Sequence, residues 1–293
     1  MDPALIKQLA LGGIPPAIAG AVLFFTLRNR PARPSLEAAT TLLAFLIVLG
    51  TIALAVAPPA WRFTAADDRL PFSLGILAAL AIAASSVPQG IPRMGLAAAS
   101  LAGATAFGLL AVLKSGGAVD VAMHLAGASL AGAVIAWAAP HAATPRETHT
   151  TGPALARILV PLIGASQLLV IGMASLKHGQ VAGMFAAIAG GAAAAWIVAR
   201  SVRIQPATAT FLWLGAMLLT TFGIVLGSAP MPRAVLYGTL IATSMVLSAI
   251  SSMGPLGRLT GFKGWATAIG LPFIPIAAGL AVAVITHEDP YDY

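Results

Sequence analysis

Ten apolar stretches, each about as long as the 20 residues that a helix needs to cross a bilayer, constrain most strongly how this chain folds. No segment alternates apolar and polar residues as a transmembrane barrel strand must. We therefore predict an all-α polytopic transmembrane helix bundle of ten spans. Spans three and four, or six and seven, are joined so closely that one pair could be a re-entrant hairpin, which would leave eight. The stretches cover about 8–27, 38–57, 70–87, 94–113, 119–139, 154–175, 181–199, 207–228, 233–252 and 264–286.

The composition excludes a soluble protein. Only 9% of the 293 residues are charged and 59% are hydrophobic, whereas soluble domains carry about 25% charged residues. The net charge of +7 would indicate nucleic acid in a soluble chain, but here the cations lie singly or in small groups between apolar runs. The predicted partner is the lipid bilayer, with no nucleic acid.

The distribution of cations predicts the orientation. The connections after odd-numbered spans carry ten Lys and Arg residues and the opposite side carries six, so the odd connections are expected in the cytoplasm and both termini outside. The ten are Arg28, Arg30, Arg33, Arg93, Arg146, Arg157, Arg200, Arg203, Arg258 and Lys263. The six are Lys7, Arg62, Arg69, Lys114, Lys177 and Arg233.

A polar segment over 140–153 divides the chain into two sets of five spans. We predict a first transmembrane half over 1–139, a cytoplasmic connector over 140–153, a second half over 154–286 and an acidic extracytoplasmic tail over 287–293. Pro15 and Pro16 in span one have a counterpart in Pro161 of span six, at an offset near 140. Two five-span units would have opposite orientations, which is the inverted-repeat plan of many secondary transporters. A chance correspondence of these proline positions explains the match equally well.

Prolines interrupt three of the apolar spans. Pro15, Pro16, Pro161, Pro272 and Pro275 are candidate helix breaks, which free backbone groups that lipid cannot satisfy. Such breaks mark the binding sites of secondary transporters, while purely structural kinks explain them as well.

Asp120 and His124 stand four residues apart near the outer end of span five, so both project from one helix face. An ionisable pair inside a membrane helix suggests proton coupling. Their position near the water boundary favours a structural interpretation, in which Asp120 lies at the start of the helix and His124 forms a hydrogen bond with a polar neighbour.

Hydroxyl side chains suggest a substrate pathway. Ser244, Ser248 and Ser251 form one stripe on span nine, and Thr220, Thr221 and the mid-span Gln167 are expected to face the same interior. Small hydroxyl residues more often let helices pack closely. Gln167 is the strongest candidate, because an amide buried in a span must find hydrogen-bond partners.

The sequence contains none of the motifs that would indicate an enzyme or a cofactor site. It has no cysteine, no metalloprotease motif, no nucleotide-binding loop and no serine-hydrolase elbow with a base nearby. His124 is the only histidine well inside a span, which excludes a haem held between helices by paired ligands. No catalytic residue, metal site or cofactor is therefore predicted, and no motif identifies a family.

Three functions remain. The leading hypothesis is a secondary transporter or flippase-like carrier of a neutral or amphiphilic small molecule, because these spans offer almost no counter-charge for a highly charged one. The alternative is a non-catalytic subunit of a larger membrane complex, with other membrane subunits or a homodimer as partners. The third is an intramembrane enzyme acting on lipid. The Ala, Gly and Arg content is typical of a GC-rich bacterium, so the expected location is the inner membrane.

Overall fold

The computed structural model describes residues 3–30, 33–55, 65–88, 90–145 and 151–286, and long helices account for most of them. Each long helix lies within a few residues of the apolar stretch that predicted it, and the described residues contain no strand, so the all-α prediction is confirmed. α6 continues into a π-helical turn, Leu168–Gly172, and a 3₁₀ turn, Leu256–Arg258, precedes α10. The ten helices are α1 (Pro3–Leu27), α2 (Pro34–Ala55), α3 (Ala66–Ser85), α4 (Ile91–Gly116), α5 (Ala118–Ala143), α6 (Thr151–Gln167), α7 (Leu176–Val198), α8 (Pro206–Leu226), α9 (Met231–Ile250) and α10 (Gly261–Ile285).

The protein is a multi-pass membrane protein. Within the described ranges, nine helices are long and apolar enough to cross a bilayer, which is every long helix except α4. α4 has 26 residues and is therefore about 39 Å long, and it packs between α3 and α5. The predicted acidic tail (287–293), the middle of the connector (146–150) and Arg62 lie outside the described residues.

Polar contacts between helix ends join connections of the same parity, as they must if each helix crosses the bundle once. We call the end that holds the connections after α1, α3, α5, α7 and α9 the connector end, and the opposite end the terminus end. At the connector end, Arg203 donates to the backbone oxygen of Arg30 over 3.4 Å. At the terminus end, Arg233 at the start of α9 donates to the backbone oxygen of Thr286, just beyond α10, over 3.3 Å. The start of α1 and the end of α10 therefore lie at the terminus end.

α8 is the central helix of the bundle. It packs against α2 through α7 and against α9, and 83% of its span is buried, compared with 22% for α1. Its sequence is apolar on all sides, which is the pattern of a helix without a solvent-facing stripe. Seven of the other nine long helices in the described ranges therefore pack around it.

The two halves do not repeat one another's packing. In the second half α6 packs against both α9 and α10, whereas the corresponding contacts of α1 with α4 and α5 are absent from the principal helix pairs of the described residues. α1 packs instead across the halves against α7. This arrangement gives no support to the five-plus-five repeat.

Candidate functional site

A groove lies between the two halves, with α4 and α5 on one side and α8 and α9 on the other. Its volume is about 780 Å³, within the range of pockets that hold small ligands. Along α9 it extends from Met231 to Val246, which corresponds to about 22 Å of helix. The groove therefore begins at the terminus end and passes the middle of the bundle.

The walls of the groove are mostly apolar and partly open to the surrounding bilayer. Met123 is 59% exposed and Leu130 on the same helix is 68% exposed, although both line the groove. Across from them, Val235 of α9 is 48% exposed. Exposed apolar side chains therefore border the groove on α5 and on α9.

The polar end of the groove contains the Asp120 and His124 side chains, so the structure brings together the pair that the sequence singled out. The pair does not interact through the two side chains. His124 Nδ1 lies 2.8 Å from the backbone oxygen of Asp120, and because a carbonyl oxygen only accepts, Nδ1 must donate. Within the described part of the chain, no ion pair or hydrogen bond reaches the Asp120 carboxylate.

The end of α4 lies against this carboxylate. A Cβ atom added to Gly116 would collide with Asp120 Oδ2, so the glycine makes room for the acid. Gly117 then adopts a φ of 100°, a conformation that glycine adopts without strain, and starts α5. The helix reversal between α4 and α5 thus positions the polar end of the groove.

Four hydroxyl groups complete the polar lining. Ser115 and the predicted pathway residue Thr221 line the groove together with Thr239 and Thr243. Sequence reasoning passed over the last two, although their spacing of four residues places them on one face of span nine. Thr239 and Thr243 are exposed on the groove side, whereas the selected serines of the same span are buried.

The selected serines of α9 hold helices together. Ser244 Oγ donates to the backbone oxygen of Pro272 on α10 over 2.7 Å, and Ser251 Oγ donates to the backbone oxygen of Ser248. Arg157, which is 3% exposed, donates to both Ser251 Oγ and Ser251 O, at 2.9 and 3.1 Å. The Ser248 hydroxyl is buried without a partner among the described residues. Contacts of this kind are expected if the serines serve helix packing, which is the alternative to a substrate pathway that the sequence left open.

The remaining pathway candidates do not join the groove. Thr220 is buried and bonds to the backbone oxygen of Ala216 in its own helix. Gln167 is exposed at the end of α6, so the structure does not bring it to the buried hydroxyl groups. This exposed position corrects the expectation that Gln167 faces the same interior as the buried hydroxyl groups.

The prolines expected to break helices lie inside continuous ones. α1 runs through Pro15 and Pro16, α6 through Pro161, and α10 through Pro272 and Pro275. The helical interruption occurs instead after the π-helical turn Leu168–Gly172, where Ala174 has a φ of 49° before α7 begins. The expected breaks are therefore corrected, because neighbouring helices and small local adjustments let a membrane helix continue through proline.

A second polar cluster, which sequence reasoning missed, joins α3 to α7 at the terminus end. Asp67 Oδ2 accepts from Lys177 Nζ at 2.8 Å, and Asp67 Oδ1 lies 3.1 Å from His178 Nε2. His178 Nδ1 lies 2.7 Å from Ser175 Oγ. The described residues contain no group of His, Cys, Asp and Glu side chains suited to holding a metal ion. We call Asp67, Ser175, Lys177 and His178 the α3–α7 clasp.

Comparison with known proteins does not assign the chain to a family, since no protein-family model and no curated protein matches its sequence.

Proposed function

We propose that this protein is a flippase-like carrier that moves an amphiphilic molecule between the two faces of the membrane. The observation that carries the proposal is the groove between the halves, which collects Asp120, His124 and Thr221 at one place. An amphiphile needs an apolar surface for its tail and polar groups for its head, because an unpartnered polar group in hydrocarbon costs several kcal/mol. The groove supplies both.

The shape of the groove fits one state of a transport cycle. The charged part of the lining, Asp120, lies near the terminus end, where Ser115 and Gly116 are exposed, and no lining residue of α9 lies beyond Val246. Toward the connector end, Arg157 of α6 donates to Ser251 just after α9 and joins these two helices. A carrier open to one side has such a closed end, which the opposite state would open.

The second candidate is a non-catalytic subunit of a membrane complex. The observation in its favour is that Ser244, Ser251 and Thr220, three of the candidates for a substrate pathway, use their hydroxyl groups on backbone oxygens inside the bundle. A subunit of this kind would bind amphiphiles without moving them. Transport is therefore the property that separates the two functions.

The experiment is a lipid-movement assay with the purified protein in liposomes that contain a fluorescent lipid with a short acyl chain. Dithionite, which does not cross the membrane, quenches the fluorophores in the outer leaflet. With the carrier present, we expect quenching to continue into the inner-leaflet pool. Gly127→Trp fills the groove, and we expect it to slow this phase about tenfold or more, a barrier increase of about 1.4 kcal/mol.

Gly103→Trp is the matched control. Gly103 and Gly127 are both exposed helical glycines whose added Cβ would meet no atom within 4 Å, but only Gly127 lines the groove. Gly103→Trp should therefore move lipid at the wild-type rate. Quenching that stops at the outer leaflet with the wild-type protein would refute the carrier and favour the subunit.

We propose the inner membrane of a bacterial-type cell as the location, with the connector end in the cytoplasm. The support is the excess of cations on that side, which include Arg28, Arg93, Arg203 and Arg258. The groove would then open toward the extracytoplasmic face.

A further inference from the structure

The polar lining of the groove consists of hydrogen-bond acceptors. A hydroxyl group has a single donor hydrogen, and each groove hydroxyl uses it on a backbone oxygen of its own helix. Ser115 donates to Val112 O and Thr221 to Met217 O. Thr239 and Thr243 donate to Val235 O and Thr239 O, at 2.9 and 2.8 Å. Their oxygens can therefore only accept a bond from a ligand.

The ring of His124 has the same property in its neutral form. Its Nδ1 donates to the backbone oxygen of Asp120, so the tautomer is set and Nε2 carries the lone pair. The lining of the groove therefore includes a ring nitrogen, His124 Nε2, that can accept a hydrogen bond, and the Asp120 carboxylate one helical turn away.

The end of α4 adds further acceptors and negative potential. Ser115 and Gly116 are the last residues of α4 and both line the groove. The last carbonyl groups of a helix have no intrahelical partner, and the macrodipole makes this end negative. The Asp120 carboxylate lies directly against Gly116.

No lysine or arginine is among the residues that line the groove, all of which lie in the described part of the chain. Lys114 is exposed and does not line the groove, and Arg233 donates to Thr286 O at α10. A carboxylate at the edge of a membrane groove is stabilised by a cation that brings its own hydrogen-bond donors.

We propose that the groove binds a membrane-dissolved amphiphile whose head is a protonated primary amine. An ammonium group offers three donors and one positive charge, which match the carboxylate and its surrounding acceptors, while the apolar tail lies along Met123 and Leu130 of α5. This assignment rests on the proposed function, since it takes the same groove as the substrate site. It excludes fatty acids and other anionic amphiphiles, whose heads would meet only acceptors.

The test is photolabelling of the full chain in phosphatidylcholine nanodiscs. The probe is a long-chain alkylamine with a diazirine in its tail, and the competitors are dodecylamine, dodecanol and dodecanoate at equal concentrations. We expect labelled peptides from α5 and α9, and competition by dodecylamine well above that by dodecanol and dodecanoate. Asp120→Asn keeps the shape and removes the charge, and it should weaken binding of dodecylamine about tenfold or more.

Glu37→Gln is the matched control. Glu37 is a carboxylate in the first turn of α2, half-buried like Asp120 but not among the residues that line the groove, so labelling should not change. Gly127→Trp, which fills the groove, should abolish labelling whatever the head group. Thermal unfolding of each variant shows whether it retains the fold. Competition by dodecanoate equal to that by dodecylamine, or unchanged binding in a folded Asp120→Asn variant, would overturn the proposal.

The two proposals fail in different ways. Amine-selective labelling of α5 and α9 without lipid movement in liposomes would refute the carrier and retain the amine site. Lipid movement with no preference for the amine head would refute the amine site and retain the carrier.

Discussion

At the scale of single residues, the α3–α7 clasp shows how a buried histidine is satisfied in this bundle. The side chain of His178 is 5% exposed. A carboxylate only accepts, so Nε2 donates to Asp67 and the neutral ring accepts the Ser175 hydroxyl at Nδ1. Lys177 binds the other carboxylate oxygen. Both ring nitrogens of the buried side chain therefore have partners.

Asp67→Ala should destabilise the protein. The substitution leaves the Nε2 hydrogen of buried His178 without its acceptor, which costs about 1–3 kcal/mol. The free energy of unfolding in mixed micelles measures this loss.

Lys177→Ala is the comparison within the same cluster. Its ammonium bonds the same carboxylate, but its side chain is 41% exposed, and exposed ion pairs contribute only about 0–1 kcal/mol. Equal losses in Asp67→Ala and Lys177→Ala would contradict this explanation of the clasp.

At the scale of helices, glycines rather than apolar pattern determine where pairs approach closely. α1 and α7 cross where an added Cβ on Gly20 would lie 2.6 Å from the backbone oxygen of Ile188, and one on Gly191 would collide with the backbone oxygen of Ala17. In lipid, small residues that let backbones approach are a main source of helix association. This crossing attaches the first helix of the chain to the second half.

Gly191→Ala and its neighbour Gly190→Ala should change stability in opposite directions. At Gly191 the new methyl group meets backbone atoms of α1 that cannot move aside, and overpacking of this kind costs about 1–3 kcal/mol. At Gly190 an added Cβ meets nothing within 4 Å, and alanine in a helix is about 1 kcal/mol more favourable than glycine. Thermal unfolding of the two purified variants measures the difference. A loss of similar size in both variants would contradict the close crossing.

Glycines also allow α7 and α8 to pack closely against the turn that follows α6. An added Cβ on Gly179 would collide with Val170, and one on Gly223 would collide with Leu169, both in the π-helical turn after α6. Gly179 and Gly223 therefore serve close packing between helices of the same chain. The π turn itself has no signal in the sequence, because its bond from Met173 N to Leu168 O depends on how these neighbours fit.

At the scale of the whole molecule, the alternation of helix ends makes a direct prediction about topology. Because the chain has no cysteine, single cysteines can report on each end without background. We expect a membrane-impermeant maleimide to label Ser115→Cys and Ser228→Cys at the terminus end on intact cells. Thr260→Cys at the connector end should be labelled only after lysis. All three positions are exposed. Labelling of all three from one side would contradict ten crossings, and the reverse pattern would invert the proposed orientation.

The class of the molecule and the positions of its helices can be read from the order of the amino acids alone. Runs of about 20 apolar residues are sufficient for this, because the bilayer allows few alternatives to a helix. The sequence also singled out Asp120 and His124, since a spacing of four residues within one helix is a local property. The backbone oxygen that His124 binds belongs to Asp120 itself, so this part of the site needed no tertiary contact.

The buried faces and the position of the groove depend instead on how the helices pack against one another. α10 has a mean hydropathy of 2.3 and α8 one of 1.9, yet 33% of α10 and 83% of α8 is buried. Lipid tails are as apolar as the interior, so hydropathy does not distinguish a lipid-facing side from a packed one. For the same reason the sequence predicted that Gln167 faces the interior of the bundle, whereas its side chain is exposed. Asp67 and His178, which are 111 residues apart, meet only because α3 and α7 begin at the same face of the bundle.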